Sequence, residues 1–189
     1  MKKIIKISLS LFFVCFIAVG ALAAVESLTR EQIRQNGEQE IQRALNILIP
    51  DAQYTDITEQ SEADAFNSEG EFENTVITQV FRADGADGAA VGYIVVLNTQ
   101  GYMGQIGLRV GILRDGTVSG VVVGENPETP GLGANISRQE WLDQFRGGSA
   151  PFDFTCVDKI TSATYSSKYV MRGVNAACAF AERLRGEQG

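Results

Sequence analysis

The pattern of hydrophobic and polar positions changes several times along the chain, and its first segment is almost entirely apolar. After Lys2, Lys3 and Lys6, positions 7–25 contain no charged residue. These 19 residues approach the roughly 20 apolar residues that an α-helix needs to cross a bilayer. The preceding lysines predict a cytoplasmic N-terminus. The pattern therefore predicts a membrane anchor over residues 1–25, with the rest of the chain outside the cytoplasm.

The same segment leaves one alternative open. The small-residue pattern Ala21-Leu22-Ala23 is typical of a signal-peptide cleavage site after Ala23. The apolar run of a signal peptide usually has about 7–15 residues, and positions 7–25 form a longer run. A retained anchor and a cleaved signal both place the main part of the chain outside the cytoplasm.

Between residues 26 and 74 the pattern predicts a linker helix followed by an acidic loop. Ser27 or Thr29 predicts a capping box at the start of the helix, and Pro50 ends it. Residues 59–74 are acidic and polar, which predicts a solvated loop. The apolar positions that recur at helical spacing are Ile33, Ile41, Leu45 and Leu48.

From residue 75 the hydrophobic period changes to two, which is typical of β-strands. Residues 75–83 and 89–99 are rich in β-branched side chains and flank an Ala-Asp-Gly turn, so they predict a hairpin. Residues 106–125 predict a second hairpin with an Asp-Gly turn at 115–116. Two consecutive hairpins predict an antiparallel sheet.

The C-terminal third alternates between helix and strand patterns. Ser137 caps a predicted short helix over 137–147, and residues 151–160 have a strand-like pattern. The period of residues 166–186 predicts a final amphipathic helix. Together the elements predict an α+β domain over residues 75–189, with an antiparallel sheet packed on helices behind one N-terminal transmembrane helix.

Composition excludes several kinds of function. The chain has no histidine, which excludes a histidine-based triad, a histidine general base and a histidine-ligated metal site. Three of the 16 lysines and arginines and none of the 23 acidic residues lie in residues 1–25, so residues 26–189 carry 13 basic against 23 acidic side chains, a formal net charge of −10. This charge disfavours nucleic acid as a partner. Cys156 and Cys178 either form a disulfide outside the cytoplasm or remain two buried free thiols.

The stretch DKITSATYSSKYV at 158–170 concentrates hydroxyl side chains directly before the final helix. Backbone N–H groups at a helix start have no intrahelical acceptor, so hydroxyl donors there favour an anion site suited to phosphate. Lys168 adds a positive charge nearby. An ordinary helix cap with additional polar residues is the alternative. The hydroxyls concerned are those of Thr161, Ser162, Thr164 and Ser166.

A second segment, NPETPGLGANI at 126–136, combines prolines with glycines. This composition predicts a stiff, tight loop that holds Thr129 and Leu132 outward. Because glycine has no side chain, such a loop lets the backbone approach a planar ligand closely. A simple turn between a strand and a helix is the alternative.

Both segments resemble motifs of one family. The sequence DKITSAT at 158–164 resembles the flavinylation motif of proteins that carry FMN covalently on a threonine, and ETPGLG at 128–133 matches the companion loop. Residues 101–123 look like the glycine-rich segment and hairpin of the same family. In order, residues 1–186 resemble the G component of Rnf-type electron transport complexes. They are also similar to the C component of the sodium-pumping NADH:quinone oxidoreductase, a longer homologue.

The chain departs from the family pattern at three positions. Ser162 stands where the family usually has glycine, and Met103 and Gln105 replace a glycine and a proline. The serine adds a Cβ where the resemblance expects the flavin phosphate to lie close.

The resemblance implies that FMN is bound covalently, with Thr164 Oγ joined to its phosphate as a phosphoester. It also implies that a separate flavin transferase, which uses FAD and magnesium, makes this bond and recognises the motif that includes Asp158. The magnesium belongs to the transferase, so we predict no metal site in this chain. Lys168 is added from its position near the helix start. The other implied cofactor-binding residues are Thr161, Ser162 and Ala163 beside the phosphate, and Tyr102, Glu128, Thr129, Gly131, Leu132 and Gly133 around the isoalloxazine.

The resemblance implies an electron relay without an independent catalytic site. The bound FMN would pass electrons among membrane and iron–sulfur subunits of an Rnf-type complex, which links ferredoxin and NAD and couples electron flow to ion translocation. It implies a single-pass protein of the cell (inner) membrane, with an FMN-binding domain over residues 75–189 outside the cytoplasm. Two alternatives are a standalone extracytoplasmic flavoprotein reductase with the same covalent FMN, and a non-redox anchored binding module.

Overall fold

A computed structural model describes residues 2–186 of the chain, with the side chains of all of these except residues 2–4, 7, 10, 28 and 31–36. The chain forms two compact units, Met1–Gln42 and Arg43–Gly189. Three side chains named in the sequence analysis lie outside the described residues, those of Lys2, Lys3 and Ile33.

The described residues of the first unit are all helical. Helix α1 runs from Lys2 to Leu48, so the separate helix start predicted at Ser27 or Thr29 is wrong. The hydroxyl of Ser27 donates to the Ala24 carbonyl oxygen at 2.9 Å, inside the continuous helix. Its polar side chain is satisfied locally and does not interrupt the backbone ladder.

The large apolar side chains that the structure describes between residues 5 and 25 are exposed. More than half of the accessible surface of each remains uncovered. Over the residues that the structure describes, no helix combines the length and apolar character needed to cross a membrane. The exposed apolar side chains are Ile5, Leu9, Leu11, Phe12, Phe13, Val14, Phe16, Ile17, Val19, Leu22 and Val25.

The second unit is built on a five-stranded antiparallel sheet in which each strand pairs with the next along the chain. This order confirms both predicted hairpins, because the Asp-Gly sequences place the turns and the period of two sets the faces. The strands are β1 (Gln53–Asp56), β2 (Thr75–Asp84), β3 (Ala90–Gln100), β4 (Gln105–Leu113) and β5 (Val118–Val123).

Helix α4 (Thr164–Gly186) covers one face of this sheet. Its glycine at 173 lies directly against the sheet, since a Cβ there would come within 2.6 Å of Leu108 Cδ1 and 3.1 Å of Leu97 Cδ1. Both leucines are fully buried. Burial of such side chains contributes about 1.5–3 kcal/mol each, so this contact holds α4 and its N-terminal end in place.

The opposite face of the sheet is partly covered by the end of α1. Leu48 lies against the strands where glycines leave room, and its Cβ is 3.0 Å from the position that a Cβ would take at Gly111. Ile49 Cδ1 lies 3.0 Å from the corresponding position at Gly92. Residues 44–49 of the second unit therefore complete the core on this side.

The acidic segment 59–74 is more ordered than its composition predicts. It contains helix α2 (Ala63–Glu69), and Phe66 is buried with its ring centroid 5.1 Å from that of Phe180. The Asn67 side chain accepts from the Ile77 N–H at 2.8 Å and donates to the Ile77 carbonyl at 2.9 Å. One aromatic ring packed on α4 and one amide bonded to β2 thus hold a largely polar segment against the domain.

The predicted cap of the short helix is wrong. Helix α3 (Gln139–Leu142) is preceded by Arg138, which makes no side-chain capping bond. The Ser137 hydroxyl instead accepts from Asn126 Nδ2 at 2.7 Å. A local capping signal was overridden by a contact with the preceding loop.

The strand predicted over 151–160 is also wrong, because this stretch contains turns. Asp153 Oδ1 accepts from the Thr155 N–H at 2.7 Å, which is the Asx-turn alternative to an extended strand. Cys156 and Cys178 are both free thiols, and only Cys178 is buried.

Candidate functional site

A cleft of about 360 Å³ lies at the N-terminal end of α4. Three segments that are distant in sequence meet there: the turn at 101–104, the loop at 128–133 and the entrance to α4 at 160–166. The lining residues are Tyr102, Glu128, Thr129, Leu132, Gly133, Ser162, Ala163, Thr164, Tyr165 and Ser166.

The entrance to α4 begins with a tight turn. The Ala163 N–H donates to the Ile160 carbonyl at 3.0 Å, and Ser162, the third residue of the turn, has φ +71°. A type II turn requires positive φ at this position, where glycine is favoured. The backbone geometry therefore accounts for the glycine of the family pattern at the position of Ser162.

Helix α4 starts two residues earlier than predicted, at Thr164. The Ala163 carbonyl accepts from both the N–H and the hydroxyl of Ser167, each at 2.9 Å, and so closes the first turn. The first N–H groups of a helix have no intrahelical acceptors and carry the positive end of the helix dipole. Thr164 lies at this end with an exposed side chain, while Ser166 is buried.

The loop at 128–133 is also a tight turn. The Leu132 N–H donates to the Thr129 carbonyl at 3.1 Å, and Gly131 has φ +78° after Pro130. Proline at the second position and positive φ at the third are typical of a type II turn. This geometry leaves Thr129 exposed and Leu132 46% exposed at the cleft, as the composition of the loop predicts.

Glu128 connects the three segments of the cleft. Its side chain is only 5% exposed. Its Oε1 accepts from the Met103 N–H at 2.9 Å, and its Oε2 accepts from the Ser166 hydroxyl at 2.6 Å. The sequence analysis missed this arrangement, for which the only local signal is an acid between the two prolines of the loop.

Eight of the twelve predicted site residues line the cleft, and four do not. The Asp158 side chain is exposed, while its backbone N–H donates to Gln144 Oε1 at 2.8 Å. Lys168 is exposed and falls in the second turn of α4, because the helix begins at Thr164. The four residues outside the lining are Asp158, Thr161, Gly131 and Lys168.

The rim of the cleft is rich in large apolar and aromatic side chains. Tyr102 is 74% exposed, Tyr165 64% and Leu132 46%. Tyr165 was not assigned to the site from the sequence, although it follows the predicted attachment residue directly. The site is thus an open depression with a polar floor at the helix start.

Two protein families match this chain. The family described as FMN-binding domain matches residues 101–179, which include all three segments of the cleft, and the family described as RnfG N-terminal region matches residues 1–48. Among solved structures, the C component of Na⁺-translocating NADH-quinone reductase from Parabacteroides distasonis is 24% identical, with a TM-score of 0.48. The match covers 76% of this chain and 83% of that one.

Two relatives match nearly the whole chain. The G component of the Na⁺-translocating ferredoxin:NAD⁺ oxidoreductase complex of Acetobacterium woodii is 31% identical, over 92% of this chain and 89% of its own. The G component of the ion-translocating oxidoreductase complex of Methanosarcina acetivorans is 27% identical, over 98% of each chain. The chain belongs to the family of G components of Rnf-type ion-translocating oxidoreductase complexes.

Proposed function

We propose that this chain is the membrane-anchored electron carrier of an Rnf-type ferredoxin:NAD oxidoreductase complex that couples electron transfer to ion translocation. It carries FMN covalently, through a phosphoester between the FMN phosphate and Thr164 Oγ. The observation that carries this proposal is the exposed Thr164 hydroxyl at the first residue of α4, inside the cleft of an FMN-binding domain. When bound, FMN supplies the capacity to accept and donate electrons.

The helix start fits a phosphate group. Its N–H groups and dipole favour an anion, and the Thr164 hydroxyl lies among them as the attachment point. Ser162 and Ala163 line the cleft on the same side. Among the described residues of the lining, only Glu128 is acidic, and both of its oxygens already accept hydrogen bonds.

The rest of the cleft fits a flat, partly apolar ring system. Its volume of about 360 Å³ lies within the range of roughly 300–1,000 Å³ that small-molecule sites occupy. Tyr102 and Leu132 offer apolar surface at the rim, and Gly133 adds no side chain to the wall. These residues would hold the isoalloxazine while leaving one edge accessible.

An open cleft supports a relay better than a closed substrate pocket would. The exposed rim lets a neighbouring redox group approach the flavin, which electron exchange between proteins requires. The relatives are named as subunits of ion-translocating complexes, which supports other Rnf-type membrane and iron–sulfur subunits as partners. This chain would pass electrons between them without binding ferredoxin or NAD itself.

We also propose that residues 1–25 anchor the protein in the cell (inner) membrane as a single pass. The charge-free run at 7–25 and its exposed apolar side chains support this assignment. Residues 26–74 follow as linker helix and acidic segment. The FMN-binding domain over residues 75–189 lies outside the cytoplasm. Membrane fractions from cells expressing the full chain should retain it after alkaline extraction, and a deletion of residues 1–25 should abolish this retention.

Maturation requires a flavin transferase that uses FAD and magnesium. The bond formed is Thr164 Oγ to phosphorus, the bond broken is the pyrophosphate of FAD, and AMP leaves as the hydroxyl loses its proton. Asp158 is exposed and close in sequence to the attachment site, so a modifying enzyme can reach it. We assign Asp158 and Thr161 to recognition by the transferase, because neither lines the cleft.

Intact mass tests the attachment. The full chain is co-expressed with the transferase as wild type, Thr164→Ala and Thr78→Ala, the last being a control that removes an exposed hydroxyl of β2 outside the cleft lining and the motif. Wild type and Thr78→Ala should gain the mass of FMN less one water and fluoresce on a denaturing gel, and Thr164→Ala should do neither. An adduct that persists on Thr164→Ala would refute the assignment. So would an unmodified wild type when the transferase modifies a control protein.

A further inference from the structure

We infer that Glu128 is a positioning residue and not a contact to the flavin. Its two hydrogen bonds fix the turn at 101–104, the loop at 128–133 and the first turn of α4 relative to one another. The inference rests on the proposed function in one respect only, the expected effect of Glu128 on the position of FMN. The connection itself is a property of the protein without the cofactor.

The first step is the way both carboxylate oxygens are used. Oε1 accepts from the backbone N–H of Met103 in the turn at 101–104, and Oε2 accepts from the hydroxyl of Ser166 in the first turn of α4. The side chain that joins them starts in the loop at 128–133. Because only 5% of Glu128 is exposed, little of its surface remains for a ligand.

The second step is the space that two glycines provide for this carboxylate. A Cβ at Gly101 would lie 2.5 Å from Glu128 Oε1. A Cβ at Gly133 would overlap Oε2 and lie 2.9 Å from Ser166 Oγ. Gly101 and Gly133 therefore share one structural role, because the absence of a side chain at each leaves room for the Glu128 carboxylate.

The third step concerns what Ser166 does. The Ser166 hydroxyl donates its hydrogen to Glu128 Oε2. That bond directs the hydroxyl toward the loop and away from a phosphate at the helix start. Ser166 therefore sets the position of the first turn of α4, and with it the position of Thr164 two residues earlier.

A matched pair of variants separates hydrogen bonding from volume and charge. Glu128→Gln keeps the shape and can still accept from Met103 and bond with the Ser166 hydroxyl, which then acts as acceptor. Glu128→Met keeps the approximate volume and loses both bonds. Glu125→Met, at an exposed acid in the same region, is the control.

The first readout is amide hydrogen exchange at Met103 in the flavin-free full chain. Loss of a bond to a charged acceptor should make exchange about tenfold faster or more in Glu128→Met. Glu128→Gln and Glu125→Met should stay within about threefold of wild type. Unchanged exchange in Glu128→Met overturns the inference. Equal damage by Glu128→Gln overturns it as well, because a charge effect would then replace a positioning effect.

The second readout is the initial rate of FMN attachment together with the fluorescence anisotropy of the attached flavin. Misplacement of the helix start should slow attachment in Glu128→Met by about tenfold or more and lower the anisotropy, with rescue by Glu128→Gln. An overall loss of stability would not lower the anisotropy of the folded fraction. Retention of both wild-type values in Glu128→Met contradicts the inference.

A third variant covers the case in which Glu128→Met does not fold. Ser166→Ala removes only the bond to Oε2, so exchange should become faster at the Ser167 amide, whose hydrogen bond to the Ala163 carbonyl closes the first turn of α4, while Met103 remains protected. No change at the Ser167 amide overturns the inference. The exchange measurements need no cofactor, so a wild type that takes no FMN would refute the proposed function and leave the Glu128 connection to be decided separately.

Discussion

The hydroxyl of Ser166 donates to Oε2 of Glu128 at 2.6 Å across 38 residues of sequence. This bond joins the entrance of α4 to the loop that faces it. Since Thr164 lies in the same helical turn as Ser166, the geometry of the proposed attachment site depends on a residue in another segment. The cleft is thus a single structural unit, although its parts read as separate motifs.

Replacement of Ser162 by glycine should stabilise the protein. Ser162 has φ +71°, a left-handed conformation that costs about 1–2 kcal/mol for a residue with a Cβ. The greater freedom of glycine in the unfolded chain offsets about 0.5–1 kcal/mol. We expect a net gain of up to about 1 kcal/mol in the free energy of unfolding, measured by urea denaturation. The neighbouring Thr161→Gly, where φ is not positive, should lower stability, and a destabilised Ser162→Gly would contradict the turn geometry.

Replacement of Gly133 by alanine should destabilise the second unit more than the same change at Gly131. At Gly133 the new Cβ would meet Glu128 and Ser166, and overpacking of this kind costs about 1–3 kcal/mol. At Gly131 nothing lies within 4 Å, and only the positive φ opposes alanine. Urea denaturation of both variants measures the difference. An equal or smaller loss at Gly133 would show that the Glu128 bridge is not closely packed.

Replacement of Phe66 by alanine tests whether the acidic segment belongs to the folded domain. Phe66 is buried against Phe180, so its truncation should reduce the free energy of unfolding by about 3–5 kcal/mol. The control Phe154→Ala removes a ring that is 41% exposed and should cost much less. If thermal and urea unfolding of Phe66→Ala match those of wild type, the segment is a solvated loop after all.

The thiol of Cys178 should make stability fall at alkaline pH. Burial raises its pKa from 9.0 to about 11, so the unfolded chain ionises this thiol at lower pH than the folded protein does. The stability that the folded protein derives from keeping this thiol neutral is fully present below pH 9. It is lost as the pH rises from about 9 to about 11, which lowers the free energy of unfolding by a total on the order of 2 kcal/mol. Urea titrations across this range should show the loss in wild type and a smaller one in Cys178→Ala.

Alkylation gives an independent check on the same thiol. In the native protein at neutral pH, the exposed Cys156 should react with iodoacetamide and the buried Cys178 should not, as read from peptide masses. Equal labelling of the two would contradict the burial of Cys178.

Local chemistry made part of this structure predictable. The hairpins follow from β-branched residues at a period of two and from Asp-Gly turns, which act within about ten residues of one another. The amphipathic pattern of 166–186 identified α4 with an error of two residues at its start. The two motifs at 128–133 and 158–164 identified most of the cleft lining, because each carries its turn residues within itself.

Local signals failed where a distant contact decided the outcome. The acidic composition of 59–74 predicts solvent exposure, yet Phe66 finds a pocket against Phe180. Ser137 has the sequence of a helix cap, yet its hydroxyl accepts from Asn126 instead. In both cases one long-range bond or ring contact outweighed the average character of the segment.

The sequence by itself therefore determined the two hairpins, the final helix and the motifs that belong to the site, but neither β1 nor the order in which all five strands pair. Only the tertiary structure decided how the motifs meet. The bridge from Glu128 to Met103 and Ser166 depends on three segments arriving at one point, and no periodicity or spacing encodes that meeting. Its physical reason is burial: a carboxylate removed from water must find donors wherever the fold brings them, and here it finds them on both opposite walls of the cleft.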